Sequence, residues 1–417
     1  MDSAVEAFLR GVVVRGNLEV ELASGKTLKL GDGSGPLAGL RFATQTAQWR
    51  LLANPELTFG ELYMDGLLTV TRGQLYDAAL IIADNVLNET KSTWLKAFRA
   101  LRRPLWRLKP RNSLRRSQRN VAHHYDIDSR LYELFLDADR QYSCAYFEEP
   151  GATLEAAQLA KKRHIAAKLR LEPGQSVLDI GCGWGGLGLY LARHCGVSVT
   201  GVTLSREQLA IAQGRARDAA LAGQLDFRFQ DYRTINESFD RIVSVGMFEH
   251  VGRAYFDAYF QLIARALRDD GVALVHTIGN PRTPRETSPW IDKYIFPGGY
   301  LPTLSEIMPA VERAGLMVSD IEILRIHYAE TLKAWRERFQ ARRVEAAALY
   351  DERFCRMWEF YLAGSEASFR TGDCVVFQLQ LCKRAGAVPL TRDYIAQTED
   401  ELRKRDTRPR SLRLAGE

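Results

Sequence analysis

The sequence has no uninterrupted apolar run of about 18 residues or more, so nothing in it has the length of a bilayer-spanning helix. Its six cysteines (Cys144, Cys182, Cys195, Cys355, Cys374 and Cys382) form no Cys-x-x-Cys pair and show no zinc-ligand spacing. That excludes a disulfide framework and a structural metal, and points to a reduced, cytoplasmic chain. The start, MDSAVEAFLRG, carries acids and lacks an apolar core with a small-residue cleavage site, so no secretory signal is expected. No internal repeat is visible. What is present, 46% hydrophobic and 26% charged residues over 417 positions, describes a globular protein large enough for two or three domains.

The charge is unevenly placed. Residues 96–119, KAFRALRRPLWRLKPRNSLRRSQR, hold ten Lys or Arg and no acid, which is more than the whole net charge of +6. Trp94, Phe98, Leu101, Leu105, Trp106 and Leu108 interleave the cations, a composition suited to lying against an anionic surface. Each basic residue near such a leaflet is worth about 1 kcal/mol. Nucleic acid would also be attracted, and a solvated linker helix is the plainer alternative. Pro104 and Pro110 make the segment a boundary on any reading.

Four zones follow. Residues 1–90 read as a small α+β module: a helical start, alternating runs such as NLEVEL and KTLKL, strand-like pieces around LRFATQ and TFGELYMDGLLTV, then the helical QLYDAALIIADNVL. Residues 91–120 are the basic linker. Residues 121–390 alternate helical and strand patterns, at the spacing of stacked βα units. Residues 391–417 form a basic C-terminal tail, whose last stretch, RKRDTRPRSLRLAGE (403–417), reads as disordered.

The catalytic chemistry is concentrated in the third zone. VLDIGCGWGG (177–186) is an apolar run ending in Asp179, then a turn in which Gly181 and Gly183 let backbone approach a ligand. A helix N-terminus with free amides follows. The next strand, VSVTGVTLS, ends in hydroxyls, Thr203 and Ser205, with Gln208 a turn later; no carboxylate waits there for an NAD ribose. Asp231, in FRFQDYR (227–233), follows a third strand where an adenine amine needs an acceptor. The combination resembles the class I S-adenosylmethionine-dependent methyltransferases, which implies a Rossmann-like doubly wound α/β sheet.

One string, DADRQYSCAYFEEP (137–150), is too irregular for a helix or strand and packs three aromatics and a cysteine between acids. With HHYDIDSR (123–130), LDIGCGWG, VGMFEHVG (245–252), VHTIG (275–279), YIFPGGYLP (294–302) and HYAETLKAWRERF (327–339), it resembles the cyclopropane fatty acid synthase and mycolic acid cyclopropane synthase family over about residues 120–385. The resemblance implies that Tyr142 and Ser143 contact S-adenosylmethionine beside Asp179, Gly181, Gly183, Thr203, Leu204, Ser205, Gln208, Asp231 and Tyr232. It further implies a phospholipid acyl chain as substrate, its double bond taking a methyl carbon to give a cyclopropane. An alkene is a poor nucleophile, and the cation left beside the new methyl calls for a dry aromatic pocket and a base. The family uses a bound bicarbonate ion, which the resemblance assigns to Cys144, Glu249, His276, Ile278 (through its backbone) and Tyr328. Read individually, the same residues have structural alternatives: Glu249 could cap a helix, His276 fill a core, and Cys144 act as a small hydrophobe.

Three departures bear on the product. Ser365 and Glu366 stand in YLAGSEASFR where the family often has Cys-Ala; Gly246 stands where an acid often precedes the methionine; and Asp128 and Ser129 replace a Gly-Asn pair. A methylene- or methyl-branched chain is therefore the alternative product, and a small-amine N-methyltransferase the more distant one. A nucleic-acid enzyme is disfavoured because MFEHVG stands where base-amine methylation uses an Asn/Asp-Pro-Pro-aromatic string, so no nucleic-acid partner is expected. A purely lipid-binding role leaves the cofactor strings unexplained. The expected setting is cytoplasmic, with reversible docking on an anionic inner membrane face, and homodimerisation would add avidity.

Overall fold

The computed structural model describes residues 2–89 and 128–406; the basic segment 96–119, the HHYD string and residues 407–417 lie outside them. The first unit contains α1 (Asp2–Val12) and a four-stranded sheet: β1 (Asn17–Glu21), β2 (Thr27–Leu30), β3 (Leu37–Phe42) and β4 (Leu68–Arg72). The sheet runs in the order β2-β1-β3-β4, with β1 and β3 parallel and the outer pairs antiparallel. Alternate residues Leu18, Val20, Leu28 and Leu30 are buried, as a half-covered sheet requires. Helices α2 (Gln45–Ala53), α3 (Pro55–Met64) and α4 (Leu75–Asp84) complete it. Residues 58–64, expected as strand, are helical: Pro55 sits at the first helical position, where its missing N–H costs nothing, and Thr58, Glu61, Leu62 and Met64 recur on the buried side.

The second unit is a seven-stranded sheet of β5 (Ser176–Ile180), β6 (Ser198–Thr203), β7 (Leu225–Phe229), β8 (Phe239–Val245), β9 (Leu267–Gly279), β10 (Met317–Leu324) and β11 (Val375–Cys382), in the order β10-β11-β9-β8-β5-β6-β7. β11 is antiparallel to both neighbours, and β5 to β9 are mutually parallel. The central strands are buried on both faces and read as continuous apolar runs for that reason. The chain leaves β5 toward β6 on one side and returns to β8 on the other, so a crevice opens at the carboxyl end of β5. Helices α6 (Leu154–Leu169), α7 (Gly186–Cys195), α8 (Arg206–Asp218), α9 (Phe256–Ala266) and α11 (Leu304–Arg313) cover the sheet; α5 (Ser129–Glu133) precedes it in the chain.

A mostly helical layer joins the two units: α10 (Pro289–Tyr294), α12 (His327–Ala341), α13 (Arg343–Leu349) and α14 (Glu352–Arg370). Lys293 Nζ and Tyr294 Oη donate to Glu61 of α3, at 2.7 and 2.9 Å, and Tyr63 Oη donates to Glu359 at 3.0 Å. Gly60 is required at the closest approach, since a Cβ there would lie 2.5 Å from Trp290 Nε1. The C-terminal stretch departs from expectation. The basic tail begins as a helix, α15 (Asp393–Asp406), packed on α6, so residues 403–406 of the stretch expected as disordered are helical. Its anchor is Asp406, which accepts from the buried Arg163 at 2.9 Å. Among the described residues no helix is long and apolar enough to cross a membrane.

Candidate active site

The loop 137–150 folds over the carboxyl end of β5. Asp137 Oδ1 accepts from Gln141 N at 2.8 Å and fixes its turn, and Ala145 N donates to Thr331 Oγ1 of α12 at 3.0 Å. Beneath it is a cavity of about 160 Å³ lined by this loop, the 179–187 turn, the end of β6, residues 230–233 and residues 245–251. Of the eleven residues expected to hold the cofactor, ten line it: Tyr142, Ser143, Asp179, Gly181, Gly183, Thr203, Leu204, Gln208, Asp231 and Tyr232. Ser205 does not; its hydroxyl caps α8, accepting from Gln208 N at 3.3 Å. Gly181 has φ +86°, where a side chain is strained, and a Cβ would also meet Met247 at 2.9 Å. Asp231 is engaged by Arg233, whose Nε and Nη2 donate to it at 2.8 and 2.7 Å.

Asp179 is the least satisfied group of the cavity. Burial pushes its carboxyl up to about 7, the nearby Lys161 opposing this, and Oδ2 finds no hydrogen-bond partner among the described residues. Lys161 itself was missed by sequence reasoning. It is buried on α6 and donates to Gln141 Oε1 and Ser143 Oγ, both at 2.7 Å, so it holds the loop against the cavity. Burial lowers its pKa to about 8. The only sequence signal was indirect: AKKRHIAAK has no apolar face, yet Lys161, Lys162, Arg163, His164 and Lys168 are all buried.

None of the five residues assigned to bicarbonate lines that cavity; they lie behind it. Glu249 sits in the 3-10 turn Phe248–His250, ahead of α9 rather than capping it. Its Oε1 accepts from Ile278 N at 2.6 Å, while Oε2 is buried with no hydrogen-bond partner among the described residues. Burial pushes Glu249 up to about 7, and the Ile278 amide only partly offsets this. Burial, with the cations of Lys161 and Lys168, presses His276 down to about 3, so it is neutral. The Cys144 thiol is raised by burial, again opposed by Lys161. The Lys161 ammonium therefore acts electrostatically on Cys144, Asp179 and His276 alike. Tyr328, on α12 one turn before Thr331, packs edge-on to Trp335 with ring centres 5.8 Å apart.

An aromatic wall closes the site. Tyr142 stacks on Trp335 and shares a hydroxyl contact of 3.0 Å with Tyr361, while Tyr132, Phe135, Trp184 and Trp358 pack against the same group. Trp358, Tyr361 and Phe369 thus belong to this wall and do not line the cavity. Glu366 also stays outside the cavity: it is bonded by Arg336 Nε at 2.7 Å, and Arg336 reaches Gln74 of the first unit at 3.1 Å.

With this geometry in view, residues 112–379 match the mycolic acid cyclopropane synthetase family. The chain belongs to that family. It is similar to the cyclopropane-fatty-acyl-phospholipid synthase of Escherichia coli (strain K12), 40% identical over 348 residues covering 84% of this chain and 88% of the relative. It is 38% identical to the tuberculostearic acid methyltransferase UfaA1 of Mycobacterium tuberculosis, with 78% of each chain covered. Among solved structures, the mycolic acid cyclopropane synthase CmaA1 complexed with SAH and CTAB is 36% identical, with a TM-score of 0.60 over 63% of this chain and 97% of that one. The protein is an S-adenosylmethionine-dependent methyltransferase with the Rossmann-like sheet of that family.

Proposed function

We propose that this enzyme adds a methylene carbon across the double bond of an unsaturated phospholipid acyl chain, giving a cyclopropane, with bicarbonate as the base. The observation that carries the reading is Glu249: a wholly buried carboxyl with one oxygen on the Ile278 amide, at the end of the strand that also carries the neutral His276, and the other with no hydrogen-bond partner among the described residues. An unpartnered buried oxygen costs about 1–3 kcal/mol, and a small polar anion offered the acid proton of Glu249 would relieve it. The residues present fit bicarbonate: the neutral acid of Glu249, His276, the hydroxyl of Tyr328 and the backbone at Cys144 and Ile278 would hold it. S-adenosylmethionine supplies the methyl carbon. Asp179 would accept from its polar groups, and Tyr142 and Ser143, braced by Tyr361 and Lys161, would close over it. The rings of Tyr142, Trp335 and Trp358 exclude water and offer their faces to a cation in the acyl chain.

The first unit would present the acyl chain, and the basic segment 96–119 would dock the enzyme on an anionic, cytoplasmic membrane face, where a homodimer would bind more tightly. A second reading, a methyl- or methylene-branched product, is favoured by Ser365 and Glu366 and by the likeness to a tuberculostearic acid methyltransferase. The test is to incubate the enzyme with S-adenosylmethionine and vesicles of unsaturated phospholipid, then analyse released fatty acids by mass spectrometry and proton NMR. A gain of one CH₂ with upfield ring protons is expected. Alkene protons of a methylene branch would move the assignment to the second reading, and no gain would remove both.

A further inference from the structure

His276 and Gln378 stand directly opposite each other on the antiparallel pair β9 and β11, so their side chains leave the same face of the sheet. Gln378 is fully buried. Its Nε2 lies 3.2 Å from His276 Nδ1 and its Oε1 lies 2.8 Å from Lys168 Nζ. Lys168, on α6, is buried as well; its ammonium bonds Glu322 and lies 3.6 Å from Asp320, both on β10. Lys168 Nζ donates to Glu322 on that side, and an ammonium has donors only. The Gln378 oxygen must therefore face Lys168, which turns the amide's NH₂ end to His276. That end can only donate, so the ring nitrogen it meets is bare. The single proton of the neutral imidazole is then on Nε2.

The chain of contacts continues outward and makes Lys168 hard to displace. Glu322 lies 2.7 Å from His164 Nε2, and His164 Nδ1 lies 2.6 Å from Glu399 on α15. Burial works against the charged form of His164, but its bonds to the two carboxylates prevail and raise its pKa. Charges alternate from α15 to Lys168, and the neutral Gln378 passes only orientation to His276. The same arrangement has a chemical consequence. An imidazolium beside a bicarbonate base would give up its own proton to the anion and spend its basicity, whereas a bare nitrogen facing it would repel the anion. A neutral ring with its N–H on Nε2 avoids both.

We propose that Gln378 and Lys168 are positioning residues that hold His276 as the neutral Nε2–H tautomer, so that it donates a hydrogen bond to the anion held with Glu249. This rests on the bicarbonate reading above, and the test separates the two. Protein labelled with ¹⁵N-histidine, with the His276 signals identified by their loss in His276→Asn, should show a bare Nδ1 and a protonated Nε2 at every pH at which the protein stays folded. In Gln378→Glu a carboxylate meets Nδ1 and should draw a proton there. Turnover should then fall about 10- to 100-fold, the usual effect of losing an orienting partner, with S-adenosylmethionine affinity unchanged. A wild-type spectrum showing Nδ1–H or imidazolium overturns the assignment, and it decides even if the variant does not fold. A variant spectrum identical to the wild type also overturns it. A tautomer that flips while turnover holds instead overturns His276 as an anion ligand, leaving the positioning contacts as structure alone.

Discussion

Glu249 lies where stability and activity are in conflict. Its ordinary value of 4.5 is raised to about 7 by burial, so the folded state holds a proton that the unfolded chain has lost between those values. The sign follows: this group favours folding below about pH 4.5, and that contribution is lost as pH rises through 7. Glu249→Gln mimics the protonated acid. In carbon-dioxide-free buffer its free energy of unfolding from urea titration should match the wild type near pH 4.5 and exceed it near pH 8, by up to roughly 3 kcal/mol. The same substitution should abolish turnover while leaving S-adenosylmethionine affinity nearly intact. Full activity in the variant would remove Glu249 from the chemistry. Lys161 marks the limit of residue-level reading. A lysine in the basic string AKKRHIAAK gives no direct sign that it is buried, because burial depends on Gln141 and Ser143 arriving from the 137–150 loop.

At the scale of elements, the main surprise is α15. Arg163 is bonded by Glu148 and Asp406, and the Arg163 and Asp406 side chains are only 7% and 5% exposed, so the helix is attached by a desolvated ion pair. Removing one partner of such a pair leaves the other charge buried. Asp406→Ala should therefore cost roughly 3 kcal/mol, read as a lower melting temperature in scanning calorimetry; an unchanged melting temperature would mean that α15 is held by other contacts. The strand-to-helix reversal over 58–64 has a similar origin. TFGELYM alternates well enough for a strand, but Pro55 starts a helix, and its packing against Trp290 and Phe360 stabilises it. Over 58–64 local pattern and tertiary partner point in different directions, and the partner prevails.

For the whole molecule, charge asymmetry makes its own prediction. Changing Arg102, Arg103, Arg107 and Arg111 together to Gln should weaken binding to anionic vesicles by roughly 1 kcal/mol per residue. Cofactor affinity should not change, since none of the four belongs to the strings that carry the cofactor candidates. Co-sedimentation with vesicles at physiological salt measures this, and undiminished binding would reject the docking role. The two units share polar contacts, Glu61 with Lys293 and Tyr294 on one side and Arg336 with Gln74 on another, and these tie the proposed acyl-presenting unit to the second unit.

The sequence by itself determined the sheet and its ligand crevice. Alternating strand and helix runs with a Gly-x-Gly turn admit few topologies, and ten of the eleven cofactor candidates, read from contiguous strings, do line one cavity. Contiguous strings are legible because the turn that shapes them is local. Only the tertiary structure decided what sits behind the cavity. Glu249 meets the amide of Ile278, Ala145 meets Thr331, and Gln378 stands between Lys168 and His276; these partners are between 29 and 210 positions apart. Whether a buried carboxyl is satisfied, a histidine neutral or a lysine desolvated is set by groups that arrive from other strands and helices. Composition and periodicity carry no record of those meetings.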